Sequence, residues 1–162
     1  MKKLYFTLII NPPFRIGSEK RENVMKVDTR IFTVTTLKGA LRKIANMIAN
    51  QNVVDDLFGT PTKPSKIRII IREISPEDVK PALYTSLKID RRFKSAEEKA
   101  LYNVEFYPTE LKIEGEVCET KTNSLTQQEE ELLRNSFKLL ERSFIGGFKS
   151  RGYGFISKVD IR

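Results

Sequence analysis

Two hydrophobic periods run along this chain and outline its elements. Residues 3–10 carry, after Lys3, an apolar run broken only by Thr7, which predicts a buried first strand. Residues 11–34 follow as a long polar connection holding Gly17, the carboxylates Glu19, Glu22 and Asp28, and several cations. Thr36 then reads as an N-cap. Leu37, Ala40, Leu41, Ile44, Ala45 and Ile48 fall at helical spacing and predict an amphipathic helix to about residue 50. Lys38 and Arg42 are i,i+4 neighbours on its other face.

Residues 59–65, with Pro61 and Pro64, form a loop, and the isoleucine-rich residues 66–74 a strand. Short β-like pieces at 83–89 and 104–107 flank a charged stretch at 91–99, a pattern that suits a projecting hairpin. Residues 111–118 alternate as another strand. Thr126-Gln127-Gln128-Glu129 fits a capping box, and Leu133, Phe137, Leu140 and Phe144 line one face of the helix it opens. Residues 153–161, starting with Tyr153 and Phe155, read as a final core strand. The order β, α, strands, α, β predicts an α+β, ferredoxin-like sandwich with insertions.

Charge and composition narrow the partner. The 162 residues suffice for one domain with a core, and 29 Lys and Arg against 21 Asp and Glu leave a formal charge of +8. That balance suits nucleic acid, with an anionic membrane or an acidic protein as alternatives. No stretch approaches the roughly 20 apolar residues of a membrane span. The single cysteine, Cys118, cannot form an internal disulfide, so a reducing compartment, the cytoplasm, is expected. The chain has no histidine, which removes the commonest general acid–base and the commonest metal ligand.

Two stretches carry candidate chemistry. Ile145-Gly146-Gly147-Phe148-Lys149-Ser150-Arg151-Gly152-Tyr153-Gly154-Phe155 joins glycines, which let a backbone approach a ligand, to cations that suit phosphate oxygens. Arg151 to Ile156 nearly spells the signature of an RNA-recognition motif. Position argues against that motif, because a helix and a strand would have to follow and only residues 157–162 do. The phosphate-loop pattern of nucleotide-binding proteins is absent. In Thr35-Thr36-Leu37-Lys38-Gly39-Ala40-Leu41-Arg42, a glycine one turn into a helix costs about 1 kcal/mol relative to alanine. It makes sense where something approaches closely, beside the positive end of a helix. A solvated cationic face is the alternative.

Taken in order, these stretches resemble the RAMP superfamily of CRISPR-associated proteins, and within it the backbone subunits of type III effector complexes. The resembling residues are Phe14-Arg15-Ile16-Gly17, the block at 35–42, Leu57-Phe58-Gly59, Ile89-Asp90-Arg91 with Glu105 downstream, and the glycine-rich loop. The resemblance implies a modified RNA-recognition fold, 1–162 as one RNA-binding domain, with an inserted thumb hairpin at about 83–107. It implies a subunit that grips guide RNA in antiviral defence, associating with copies of itself and with other effector subunits, and meeting target RNA. It places Arg15, Lys38, Gly39, Arg42, Gly146, Gly147, Lys149, Ser150, Arg151 and Gly152 on RNA, binding without a cofactor.

Subunits of this kind often cut target RNA with an aspartate in the loop after the first strand and a divalent metal. The matching candidate here is Asp28, with Mg²⁺ or a similar cation beside the scissile phosphate. This loop is shorter than the family's, and Thr33-Val34 stands where a Pro-Gly normally precedes the helix. A surface aspartate paired with Arg30 is the other reading of Asp28. A metal-independent, guide-processing endoribonuclease is the rival enzyme class, disfavoured by the missing histidine.

Overall fold

The computed structural model describes residues 3–21, 24–90, 92, 94–120 and 124–162. Glu22 and Arg91 of the sequence motifs lie outside them. Strand β1 (Lys3–Ile10) buries Leu4, Phe6, Leu8 and Ile10 and turns Tyr5 outward, the period-two pattern of a sheet with one covered face. It lies between β7 (Leu111–Glu119) and β8 (Ile156–Ile161), and β4 (Ile67–Ser75) pairs with the far side of β7. All pairings are antiparallel in the order β4-β7-β1-β8. Gly115 of β7 faces Phe6, and a Cβ there would overlap the Phe6 ring and the Ile70 carbonyl oxygen.

Helices α1 (Val34–Ile48) and α3 (Gln127–Leu140) pack against each other over the covered face. Phe137 of α3 meets Phe6 with ring centroids 5.2 Å apart. The capping box holds as expected: Thr126 caps the Glu129 N–H and Glu129 returns to the Thr126 N–H. Glu129 is buried but also takes Lys66 Nζ at 2.8 Å, so its charge is compensated. The strand–helix order and sheet order make this an α+β, ferredoxin-like fold.

Several local expectations change. The cap of α1 is Thr33, whose hydroxyl accepts from Thr36 N, so Thr36 sits inside the first turn. Thr33 and Thr36 are both good caps, and only the entering backbone chooses between them. A short helix, α2 (Gln51–Phe58), follows at once, burying Val54, Leu57 and Phe58. Its two turns are too brief to show a clear period. Phe144 lies beyond α3, exposed, paired with Phe155 across a β-bridge. Tyr153 and Phe155 precede β8 rather than opening it.

The polar connection after β1 is also structured. It contains β2 (Gly17–Arg21) and β3 (Val24–Val27), which join the hairpin β5 (Ala82–Asp90) and β6 (Ser95–Phe106) in a second sheet, order β2-β3-β6-β5. Strand β3 runs parallel to β6. This sheet is tied to the first by reciprocal backbone bonds between Phe14 and Tyr107, 2.7 and 3.1 Å. Among the described residues no helix is long and apolar enough to cross a membrane.

Candidate nucleic-acid interface

The glycine-rich loop is stitched onto the segment that leaves β1. Gly147 N donates to Arg15 O and Gly154 N to Pro13 O, each at 2.8 Å, while Ile145 N donates to Gly154 O at 2.9 Å. Gly146 and Gly154 have φ of 89° and 74°, and a Cβ on either would overlap a carbonyl oxygen, that of Arg15 or of Ile145. These two glycines therefore serve the chain's own close approach before any ligand's.

That stitching sets the loop beside the start of α1. A cleft of about 280 Å³ opens between them, lined by Thr35, Thr36, Gly39 and Lys43 from the helix and by Gly146, Gly147 and Lys149 from the loop. On α1 these positions share one face, because 36, 39, 40 and 43 are three or four apart. A Cβ on Gly39 would meet nothing within 4 Å, so no internal contact demands the glycine. Its bare backbone faces the open cleft, with the positive end of α1 and two exposed lysines beside it. The chemistry fits an anion with several oxygens. A larger cleft of about 580 Å³, at the hairpin root, mixes Lys26 and Lys80 with Glu77, Asp78 and Glu105, a sign pattern less suited to phosphate.

Behind the loop lies a ladder of cations and aromatic rings. Phe148 takes φ 58°. Its ring lies 4.7 Å from the Arg15 guanidinium carbon and 4.6 Å from that of Arg151. Tyr153 meets Phe148 and Phe106 edge-on, at 5.7 and 6.0 Å. Arg151 also donates to the Tyr102 hydroxyl of β6 at 3.3 Å, so the loop and the hairpin share one cluster.

A model of the RAMP superfamily matches residues 10–157. The chain belongs to the RAMP superfamily. No curated protein matches it. Membership makes this a CRISPR-associated RAMP protein and carries the RNA-binding role of that family.

Within this RAMP protein the residues singled out in the sequence separate into groups. Gly39, Gly146, Gly147 and Lys149 come together in the cleft, and Ser150, Arg151 and Gly152 continue from it as an exposed turn. Arg15 is 5% exposed. Its Nη2 donates to the Lys26 and Met25 carbonyls at 3.0 and 3.4 Å, which braces β3 against the loop. Arg42 points to α2 and the residue that caps it, binding Asp55 at 2.6 Å and the Gly59 carbonyl at 2.9 Å. Lys38 is half-buried next to it, and burial first, then the Arg42 charge, lowers its pKa. Thr35 and Thr36, which head the block singled out in the sequence, also line the cleft, and Lys43 joins them although it was not singled out there; its signal was its place at i+4 from Gly39.

The resemblance implies a divalent cation at an aspartate in this region, and Asp28 does not fit that task. Arg30 takes both its oxygens, Nε to Oδ1 at 3.0 Å and Nη2 to Oδ2 at 2.7 Å, and adds its backbone N–H at 2.9 Å. The Asp28 backbone is pinned as well, by Ile16 O and the Tyr107 hydroxyl, both at 2.8 Å. Among the described residues no group of three or more His, Cys, Asp or Glu could hold a metal. Asp28 is thus a turn clamp. The Arg30 hydrogen bonds lower its pKa to about 2 from 3.8. The folded value is depressed, so its contribution to stability is full above the ordinary value and fades as pH falls toward about 2. A carboxyl-carbon NMR titration should show this low midpoint in the protein and an ordinary one in Arg30→Ala; an ordinary midpoint in both would remove the clamp.

Proposed function

We propose that this RAMP protein is an RNA-binding subunit of a type III CRISPR effector ribonucleoprotein, gripping the guide RNA by its phosphates. The carrying observation is the cleft in which the bare Gly39 backbone, Lys43 and the first turn of α1 meet Gly147 and Lys149 of the loop. Helix-start N–H groups and exposed lysines suit phosphate oxygens and read no base identity. The β5–β6 hairpin supports the wedging role of a thumb: Leu83, Leu87, Ile89 and Leu101 stand exposed on it, with Leu87 directly opposite Leu101. Apolar side chains of this kind can part stacked bases. The protein works in the cytoplasm, beside copies of itself and other effector subunits. Binding needs no cofactor.

The test is fluorescence anisotropy of labelled single-stranded RNA of several sequences, titrated with the protein across a salt series, with and without EDTA. Affinity should fall steeply and linearly in logarithm with salt, similarly for every sequence, and EDTA should leave it unchanged. Affinity insensitive to salt, or confined to one sequence, would overturn the phosphate grip.

A further inference from the structure

The hairpin has a second face that the phosphate grip and the wedge leave unused. The register pairs Ala82 with Phe106, Tyr84 with Val104 and Ser86 with Tyr102, so Tyr84, Phe106 and Tyr102 share one side and Leu83, Leu87 and Leu101 the other. On the tyrosine side Val104 is fully buried and Phe106 packs on Tyr153 of the glycine-rich loop. Tyr102 lies diagonal to Tyr84 and receives the Arg151 hydrogen bond. Arg151 has the Phe148 ring 4.6 Å from its guanidinium carbon and donates to the Tyr102 hydroxyl, while the residue stays exposed. Tyr84 is 55% exposed and is covered by no ring contact among the described residues. Tyr84 and Arg151 therefore both flank Tyr102, one as its diagonal neighbour and the other as its hydrogen-bond donor. Arg151 is one tight turn from Lys149, which lines the phosphate cleft.

We infer that Tyr84, Tyr102 and Arg151 form a stacking wall for an unpaired RNA base, adjoining the phosphate cleft. The inference rests on the RNA-grip reading and extends it from backbone to base. Unpaired bases stack on tyrosine rings and on arginine planes whatever their identity. The ligand is thus single-stranded RNA with splayed bases, and a base held in a duplex cannot reach the wall. Arg151 acts through its plane here, with Tyr102 and Phe148 as its neighbours.

The chain has no tryptophan, so Tyr84→Trp introduces a single reporter at the wall. The probes are a labelled single-stranded oligoadenylate and an abasic ribose-phosphate chain of equal length. Oligoadenylate should raise anisotropy and quench the tryptophan; the abasic chain should raise anisotropy without quenching. Tyr84→Ala should weaken oligoadenylate binding by roughly 5- to 150-fold, with the salt slope and the abasic affinity unchanged, and Tyr84→Phe should restore it. Matched circular dichroism spectra establish that the variants fold. Bound oligoadenylate without quenching, or equal weakening of both ligands by Tyr84→Ala, overturns the wall and leaves the grip standing. No anisotropy change with either probe at low salt overturns the grip, and the wall with it.

Discussion

Gly154→Ala should destabilise the protein by roughly 3 kcal/mol or more, and the RNA affinity should fall with it. The new Cβ would overlap the Ile145 carbonyl oxygen, and φ of 74° is a strained value for alanine. Relief requires breaking the Ile145–Gly154 hydrogen bond, and with it the Gly154 bond to Pro13 that holds the loop on the chain leaving β1. For a chain of this size the loss corresponds to about 10 °C in Tm. Gly152→Ala is the matched control. Its φ of 82° is similar, but a Cβ there meets nothing within 4 Å, so only the backbone term of about 1–2 kcal/mol remains. Thermal unfolding of the two variants checks the argument, and equal small losses would show that the stitching at Gly154 carries no weight.

The second large effect belongs to the cleft. Lys43→Ala with Lys149→Ala should lower affinity for single-stranded RNA by about 10- to 100-fold at low salt. It should also flatten the logarithmic salt slope by about 1.4, two phosphate contacts at roughly 0.7 each. Both lysines are exposed and line the same cleft, so their removal leaves the fold intact. Lys38→Ala should leave the slope unchanged, because Lys38 is half-buried beside Arg42 on another face of α1. The reverse pattern, with Lys38 controlling the slope and the Lys43/Lys149 pair silent, would return the phosphate site to the face that carries Lys38 and Arg42.

Much of the fold was legible because it is local. A short apolar run marked β1, alternation marked β7, the capping box marked α3, and apolar spacing marked α1. The strands β2 and β3 left no such mark. Gly17-Ser18-Glu19-Lys20-Arg21 has no apolar side to display, and its strand exists because it pairs with β3, which in turn pairs with β6 nearly 80 residues away. Arg15 illustrates the same limit: beside Gly17 it reads as a free cation, and only the neighbouring β3 carbonyls and the Phe148 ring make it a buried brace.

By itself the sequence determined a basic, histidine-free α+β chain, its two long helices, and a glycine–cation loop suited to phosphate. The tertiary structure decided which face of α1 that loop meets. Positions 38 and 42 and positions 36, 39 and 43 obey the same helical spacing, so periodicity cannot choose between the two stripes. Burying Leu37, Leu41 and Ala45 in the core rotates the helix, sends Arg42 to Asp55, and turns Gly39 and Lys43 toward Gly147 and Lys149 more than 100 residues away. The position of the cleft follows from that rotation.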